Sequence, residues 1–492
     1  MKKFGLTRRQ ILNSGIALGL GSLLTRLGNA QNISNQDIRD DGRKEGNAKD
    51  EFSQYSRFHP SFGGPPSSDQ FLGKLVPGIR TSGLEPVLVE TPDLEKVPWK
   101  MVNGAKEFII RCTPVKREFL PGQFMDVWGF NDSMPGPTVE AFQGDRVRFV
   151  VHNELPEPTS VHWHGLELPM QFDGVPGVTQ DVIPPGKHYI YEFDLHQTGT
   201  FFYHSHVPMQ ESFGMAGLFI IHPKIAYDPP VDRDFALMFQ NFFIPPNAST
   251  ADSMAMDWNW HTINGRSGPY TTPMVCKHGE RVRVRLVNFS AMQHHPVHFH
   301  GHTFWLTGTE AGRIPTSAWV PRNNTLVGVA MAQDFEFIAF NPGDWIFHCH
   351  MVHHMMNHMV KQVGPHIRGG FDSSPYTDSL PARPSVDSSL QESAFQVPGY
   401  PQKMQDMNMR QNHQAMATIT NRREAKGMRV NWFHGVKGLM TVLRVLPEDL
   451  YHRVMLSDED IQPGEIYKAI AKGRHQTQGR QGVGNHHTQP GP

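Results

Sequence analysis

Four short segments constrain this chain more than anything else in its 492 residues. They are His162-Trp163-His164-Gly165, His204-Ser205-His206, His295-Pro296-Val297-His298-Phe299-His300-Gly301-His302, and His348-Cys349-His350 running on to His354 and Met359. Each contains a His-x-His pair. On a strand, residues i and i+2 share a face, so each pair sets two imidazoles side by side. One such pair is commonplace on a protein surface. Four pairs, with ten of the 28 histidines crowded between His294 and His358, point to bound metal rather than packing. The same alternation turns Cys349 away from His348 and His350, so its sulfur serves a different metal from its neighbours.

The surrounding texture is all-β. Phe108-Ile109-Ile110-Arg111, Arg146 to Val151, Gly217 to Ile221 and the alternating Arg281 to Val287 are bounded by Gly/Pro turns, as strands of sandwiches or barrels are. Two blocks of this texture repeat each other. Gly144-Asp145-Arg146-Val147 matches Gly279-Glu280-Arg281-Val282. Val161 to Gly165 matches Val297 to Gly301, and Gly199 to His206 matches Gly343 to His350. The matches place domain 1 at residues 99–224 and domain 2 at 225–365. In the alignment Cys349 falls on Ser205, His354 on Gln210, His295 on Thr159 and Met359 on Met215. The first domain therefore lacks the thiolate at the place of Cys349 and is expected to hold no metal through sulfur there.

His295, Cys349, His354 and Met359 supply two imidazoles, a thiolate and a thioether. That set is a blue copper centre: a trigonal His, His, Cys arrangement with a weak axial Met. The other eight paired histidines suffice for a polynuclear copper cluster. The four segments, in order, resemble the copper-binding signatures of the multicopper oxidases. The resemblance implies two cupredoxin-like Greek-key domains and four coppers per subunit. It implies a type 1 site at His295, Cys349, His354 and Met359. It implies a type 2 copper at His162 and His298, and a type 3 pair at His164, His204, His206, His300, His348 and His350. His294, His302, His353 and His358 lie outside that pattern.

The implied activity is one-electron oxidation of a reducing substrate at the blue copper, with electrons passing through Cys349 to His348 and His350 and dioxygen reduced to water at the trinuclear cluster. A laccase-like preference for phenols or aromatic amines is the leading expectation. The alternative is a metallo-oxidase of Cu(I), Fe(II) or Mn(II) in copper tolerance, which Met351, Met355, Met356 and the tail methionines Met404, Met407, Met409 and Met416 favour. A copper-storage or electron-transfer protein fits a complete oxidase ligand set poorly. Copper nitrite reductases carry blue copper in the first domain, where this chain has Ser205. Asp173, before Gly174, reads as a carboxylate that relays protons beside the type 2 copper, or as a turn residue. Some family members have a Glu after the histidine corresponding to His354; here Met355 stands there.

Only 88 residues separate His206 from His295, too few for a whole extra domain. The chain thus resembles the two-domain small laccases, whose cluster joins domain 1 of one chain to domain 2 of the next. A head-to-tail contact of this kind closes into a ring, and a homotrimer is expected.

Composition removes other classes. Lys+Arg of 46 against Asp+Glu of 47 leaves no basic surface for nucleic acid. A mean hydropathy of -0.44 excludes an integral membrane chain, and no transmembrane segment is expected. Arg8-Arg9, the apolar run Ile11 to Leu24 and the small residues to Ala30 read as a twin-arginine-like signal over 1–30, hence a periplasmic or otherwise exported protein. Residues 31–98 read as a polar extension, disordered over Asn32 to Glu51. Residues 366–492 read as a low-complexity tail with a small helical appendage. There Val436, Leu439, Met440, Val442, Leu443 and Leu446 fall at helical spacing, and Pro447 opens a second helix. Cys112 and Cys276 are either a disulfide or two buried thiols.

Overall fold

The computed structural model describes residues 79–245, 248–355, 413–429, 432 and 437–480. Strand Arg146–Asn153 shows how its sheets are built. Val147, Phe149 and Val151 are fully buried, while Arg148 on the opposite face reaches Glu107 and Glu192 of neighbouring strands. Alternation of this kind buries one face and solvates the other.

In domain 1 the first sheet runs Trp99–Val102, Ala105–Leu120, Arg146–Asn153, His188–Asp194, with Gln123–Phe130 also paired to Ala105–Leu120. The second runs Gly136–Phe142, Ala216–His222, Gly199–Ser205, Val161–His164. Phe108, Phe149, Trp163, Tyr203 and Phe219 fill the space between them. Domain 2 repeats this plan. One sheet centres on Arg233–Phe242, Arg281–Asn288 and Met331–Ile338; the other runs Met274–Lys277, Met440–Leu446, Gly343–Cys349, His295–Phe299, Asn324–Val327. Each domain pairs its strands parallel at corresponding places, Ala105–Leu120 with Arg146–Asn153 and Arg233–Phe242 with Arg281–Asn288. The two units are all-β sandwiches of cupredoxin type.

The domains meet face to face. Phe202, Ala216, Leu218 and Ile220 of domain 1 pack with Ala236, Met238, Val287 and Ala332 of domain 2. The Arg face of Arg281–Asn288, which alternation alone would leave in solvent, is covered here. Arg285 donates to Asp234 and to Thr200 of domain 1, and Arg283 pairs with Asp234 and Glu336. Burial opposes each charge, yet the neighbouring Arg285 and Arg283 hold the Asp234 carboxyl below its usual range.

One expectation is corrected and two open points are decided. Met440–Leu446 is not helical; it is the strand between Met274–Lys277 and Gly343–Cys349, so domain 2 draws on residues beyond 365. Its residues are buried on both faces: Leu443 and Val445 lie in the sandwich core, while Met440 and Val442 pack on Ala425 and Met428. Two buried faces erase the period-2 signal and leave an apolar run that mimics a helix. Second, the described part of the extension, residues 79–98, is docked: Glu90 bridges to Phe235 and Val97 enters the domain 1 core. Third, Cys112 and Cys276 are free buried thiols in separate cores, not a disulfide. Pro447 caps the helix Glu448–Tyr451, and with Glu465–Arg480 it forms a small cluster over Val275 and Leu446. Among the described residues no helix is long and apolar enough to cross a membrane. The signal region, Asn32 to Glu51 and Met359 lie outside the described residues.

Candidate metal centres

Pairing across the sheet brings the histidines together. His162 lies opposite His204, and His298 opposite His348, in equivalent antiparallel registers. The residue between each pair of histidines, Trp163 or Phe299, points into its core and anchors the strand. Gly301 follows the second pair at φ +75°, and a Cβ there would lie 2.4 Å from the Trp345 ring.

Two sets of four imidazoles result. In domain 1 the His162 ring lies 5.6, 5.2 and 5.4 Å from those of His164, His204 and His206, and His164 Nδ1 is 3.3 Å from His204 Nε2. In domain 2 the His298 ring lies 4.6, 5.7 and 5.6 Å from those of His300, His348 and His350, and His300 Nε2 is 3.1 Å from His348 Nε2. Among the described residues no ring contact joins the two sets. His206 is half-buried and His350 exposed, so each set opens at a surface.

Backbone carbonyls orient these rings. The Nδ1 of His162 donates to Asp173 O at 2.6 Å, and that of His298 to Asn323 O at 2.6 Å. The Nδ1 of His204 donates to Ser205 O at 2.7 Å, and that of His348 to Cys349 O at 2.8 Å. A carbonyl only accepts, so each Nδ1 carries the proton and each Nε2 lone pair is free for a metal. Gly174, at φ +86° and pressed against Val161, brings Asp173 to His162; the Asp173 carboxylate stands 3.4 Å from the same Nδ1. Burial pushes His164 and His348 down to about 4 and His204 to about 3, which keeps all three neutral and able to ligate at pH 7.

The third constellation lies on the far side of Cys349. His295 Nδ1 is 3.1 Å from His354 Nδ1, which is 3.4 Å from Cys349 Sγ. Ser290 Oγ holds His295 Nε2 at 2.8 Å, so Nδ1 is the atom that faces the others. All three side chains are buried. Burial pushes the thiol up to about 12 and His354 down to about 4. Two nitrogens and one sulfur thus converge where all three are buried, a donor set that fits one copper ion.

Domain 1 has the same place filled differently. Thr159 and Ser205 both donate to Gln210 Oε1, at 2.7 and 2.8 Å, and Gln210 Nε2 donates to Pro158 O.

Two residues escaped the sequence reading. His261 is fully buried and stacks on His354 with centroids 4.2 Å apart, its Nε2 bonded to Gln293. It has no histidine at i±2, so no local pattern marks it. Glu211 has its carboxylate 3.7 Å from His204 Nδ1, and burial pushes it up to about 7. Its position after Gln210 matches Met355 after His354, so the carboxyl missing beside His354 stands at the equivalent place in domain 1. His302 stacks on Phe299, and His294 Nδ1 accepts from Val329 N; both are structural.

A family model described as Multicopper oxidase matches residues 111–225, and a second model of that description matches 243–365. The chain belongs to the multicopper oxidase family. The two matched segments carry both imidazole sets and the Cys349 constellation of this multicopper oxidase. Its sequence is similar to dihydrogeodin oxidase of Aspergillus terreus, 32% identical over 43% of this chain and 38% of that one. It is similar to a probable nitrite reductase-hydroxylamine oxidoreductase fusion protein of Kuenenia stuttgartiensis, 28% identical over 52% and 31%. It is also similar to copper resistance protein A of Escherichia coli, 39% identical over 23% and 18%. The chain thus spans well under half the length of these curated relatives. A blue copper oxidase from Nitrosomonas europaea aligns in three dimensions with a TM-score of 0.49 at 23% identity, over 74% of this chain and 93% of that one.

Proposed function

We propose that this chain is a laccase-like oxidase that takes single electrons from phenols or aromatic amines and reduces dioxygen to water. When bound, copper supplies the one-electron couples that join the two half-reactions. His295, Cys349 and His354 would hold the blue copper. His162 and His298 would hold the type 2 ion, and His164, His204, His206, His300, His348 and His350 the type 3 pair. The observation that carries the reading is the position of Cys349. Its sulfur faces His295 and His354, while its sequence neighbours His348 and His350 face the other way, giving a short covalent route between two metal centres. Asp173 orients His162, and the carboxyls of Asp173 and Glu211 stand where protons are consumed. The His–Cys face is buried, while the imidazole sets open outward.

That openness supports a shared cluster. Each set supplies four imidazoles and no ring contact links the sets within the described residues of one chain. The proposed assembly is a homotrimer in which His162, His164, His204 and His206 of one chain meet His298, His300, His348 and His350 of the next. The signal-like amino terminus supports action outside the cytoplasm. A second reading, oxidation of Cu(I), is favoured by the similarity to copper resistance protein A and by the exposed Met351 next to the fourth segment.

The test is oxygen uptake by the copper-loaded protein with a phenol and, separately, with Cu(I), combined with complementation. His204→Ala and His350→Ala chains are each expected to be inactive. Expressed together, mixed trimers place both lesions in one cluster and leave another intact, so activity returns. Mixed assemblies confirmed by mass but still inactive would reject the shared cluster.

A further inference from the structure

We propose that Leu439, not Met359, fills the axial position of the blue centre, leaving copper with three protein donors. The inference rests on the blue-centre reading above and deepens it.

The two domains provide an internal comparison at this position. In domain 1, Ser205 N donates to Met215 O, Met215 N to Gln210 O, and Ala216 N to Gly214 O, at 3.1, 3.2 and 2.8 Å. In domain 2, Cys349 N donates to Leu439 O, Leu439 N to His354 O, and Met440 N to Gly438 O, at 3.0, 2.9 and 2.9 Å. The strand registers agree as well, His204 opposite Ala216 and His348 opposite Met440. Gly214-Met215-Ala216 therefore superimposes in the bonding pattern on Gly438-Leu439-Met440. Both partners of Leu439 correspond to those of Met215: Cys349 to Ser205 and His354 to Gln210.

Sequence spacing pointed to Met359 because it counts five residues on from His354. The chain, however, makes an excursion at this point. Met355 O accepts from Lys437 N at 3.0 Å, so the 81 residues from 356 to 436 leave and return at one place. Domain 1 crosses the same gap with Ser212 and Phe213 alone, between Glu211 and Gly214. Loop length does not alter which residue precedes the final strand: Leu439 stands immediately before Met440–Leu446, as Met215 stands before Ala216–His222.

Side-chain direction follows from the register. Residues directly opposite in an antiparallel pair project to the same face, so Leu439 projects with Cys349. Leu439 is 1% exposed and belongs to the same buried cluster as Cys349. Met440, the nearest thioether in sequence, faces the other way: it presses on Gly268 and packs with Ala425 and Met428. Leucine has no lone pair. A weak axial donor stabilises the more highly charged Cu(II) state, so its absence raises the reduction potential. A stronger oxidant suits substrates that give up electrons reluctantly, such as phenols, better than readily oxidised metal ions.

The experiment uses the copper-loaded full chain and follows the blue band during an anaerobic redox titration, with electron paramagnetic resonance of each variant. Leu439→Met conserves volume and is tolerated in a core. It is expected to lower the potential of the blue copper and to shift its visible and resonance spectra, while Met359→Leu leaves both as in the parent. A shift of potential on Met359→Leu overturns the assignment whatever Leu439→Met does, and a potential indifferent to Leu439→Met overturns it too. Absence of the blue band from the parent protein would instead refute the blue-centre reading itself.

Discussion

Two equivalent places in this molecule differ in what their buried side chains offer an ion. In domain 1, Thr159, Ser205 and Gln210 meet with donors and acceptors in balance, and all three are buried without strain on their hydrogen bonds. In domain 2, His295, Cys349 and His354 meet at the corresponding place, with two imidazole nitrogens and a sulfur within 3.4 Å of their neighbours. Burying polar atoms is tolerable only when they are partnered. The first trio partners itself; the second is the donor set of the proposed blue centre. One repeated framework thus holds a hydrogen-bonded plug in one copy and the donor set of the proposed blue centre in the other, through three substitutions that leave the strands alone.

The comparison can be broken most sharply at Cys349. Cys349→Ser gives domain 2 the residue that domain 1 has. The expected result is loss of the intense visible band and of the blue copper, with turnover falling to background and the copper of the imidazole sets retained. Metal analysis and absorption spectra check this, and a protein that stays blue would end the assignment.

Acidity offers the next largest effect. Burial holds the thiol at about 12, while His354, near 4, is already neutral above pH 5. Loading the blue centre therefore releases one thiol proton. The apparent copper affinity of the apoprotein should rise about tenfold per pH unit, roughly a thousandfold from pH 5 to 8. His204, near 3, and His164 and His348, near 4, have no proton to lose in that window, so these ligands of the imidazole sets should add no proton release of their own. Competition with a chelator at fixed free copper separates the two; equal slopes would contradict the contrast.

The smallest effect belongs to the plug. Gln210→Leu strands the hydroxyls of Thr159 and Ser205, at a cost of about 1–3 kcal/mol in unfolding free energy. Copper content and colour should not change. Denaturant unfolding of the apoprotein measures the first and the spectrum the second. A change of colour would show that the plug communicates with the metal centre.

Much of this site was legible in the primary structure because it depends on local geometry. His162 and His164 share a face through the period of a strand, and so do His348 and His350, whatever else the chain does. The opposite projection of Cys349 follows from the same period. The repeat alignment identified Ser205, Gln210 and Thr159 as replacements, and the sandwich places them where that alignment expects. Asp173 was legible as a neighbour of His162, but not that its closer bond comes from the backbone carbonyl, because a turn's carbonyl carries no residue-type signal. His261 was illegible, since it approaches His354 only through sheet packing.

The sequence by itself determined the donor types, their pairing along strands, the two-domain repeat and the absence of a thiolate at the place of Cys349 in the first domain. Tertiary structure decided the rest, wherever partners are remote in the chain. It decided that Met440–Leu446 is a strand, because burial on both faces leaves no period to read. It decided that Arg283 and Arg285 are buried against Asp234, Glu336 and Thr200 rather than solvated, because alternation tells which side chains share a face but not what covers that face. It also set Leu439 immediately before the final strand and opposite Cys349, because hydrogen bonding across a sheet is indifferent to the length of the loop between its strands.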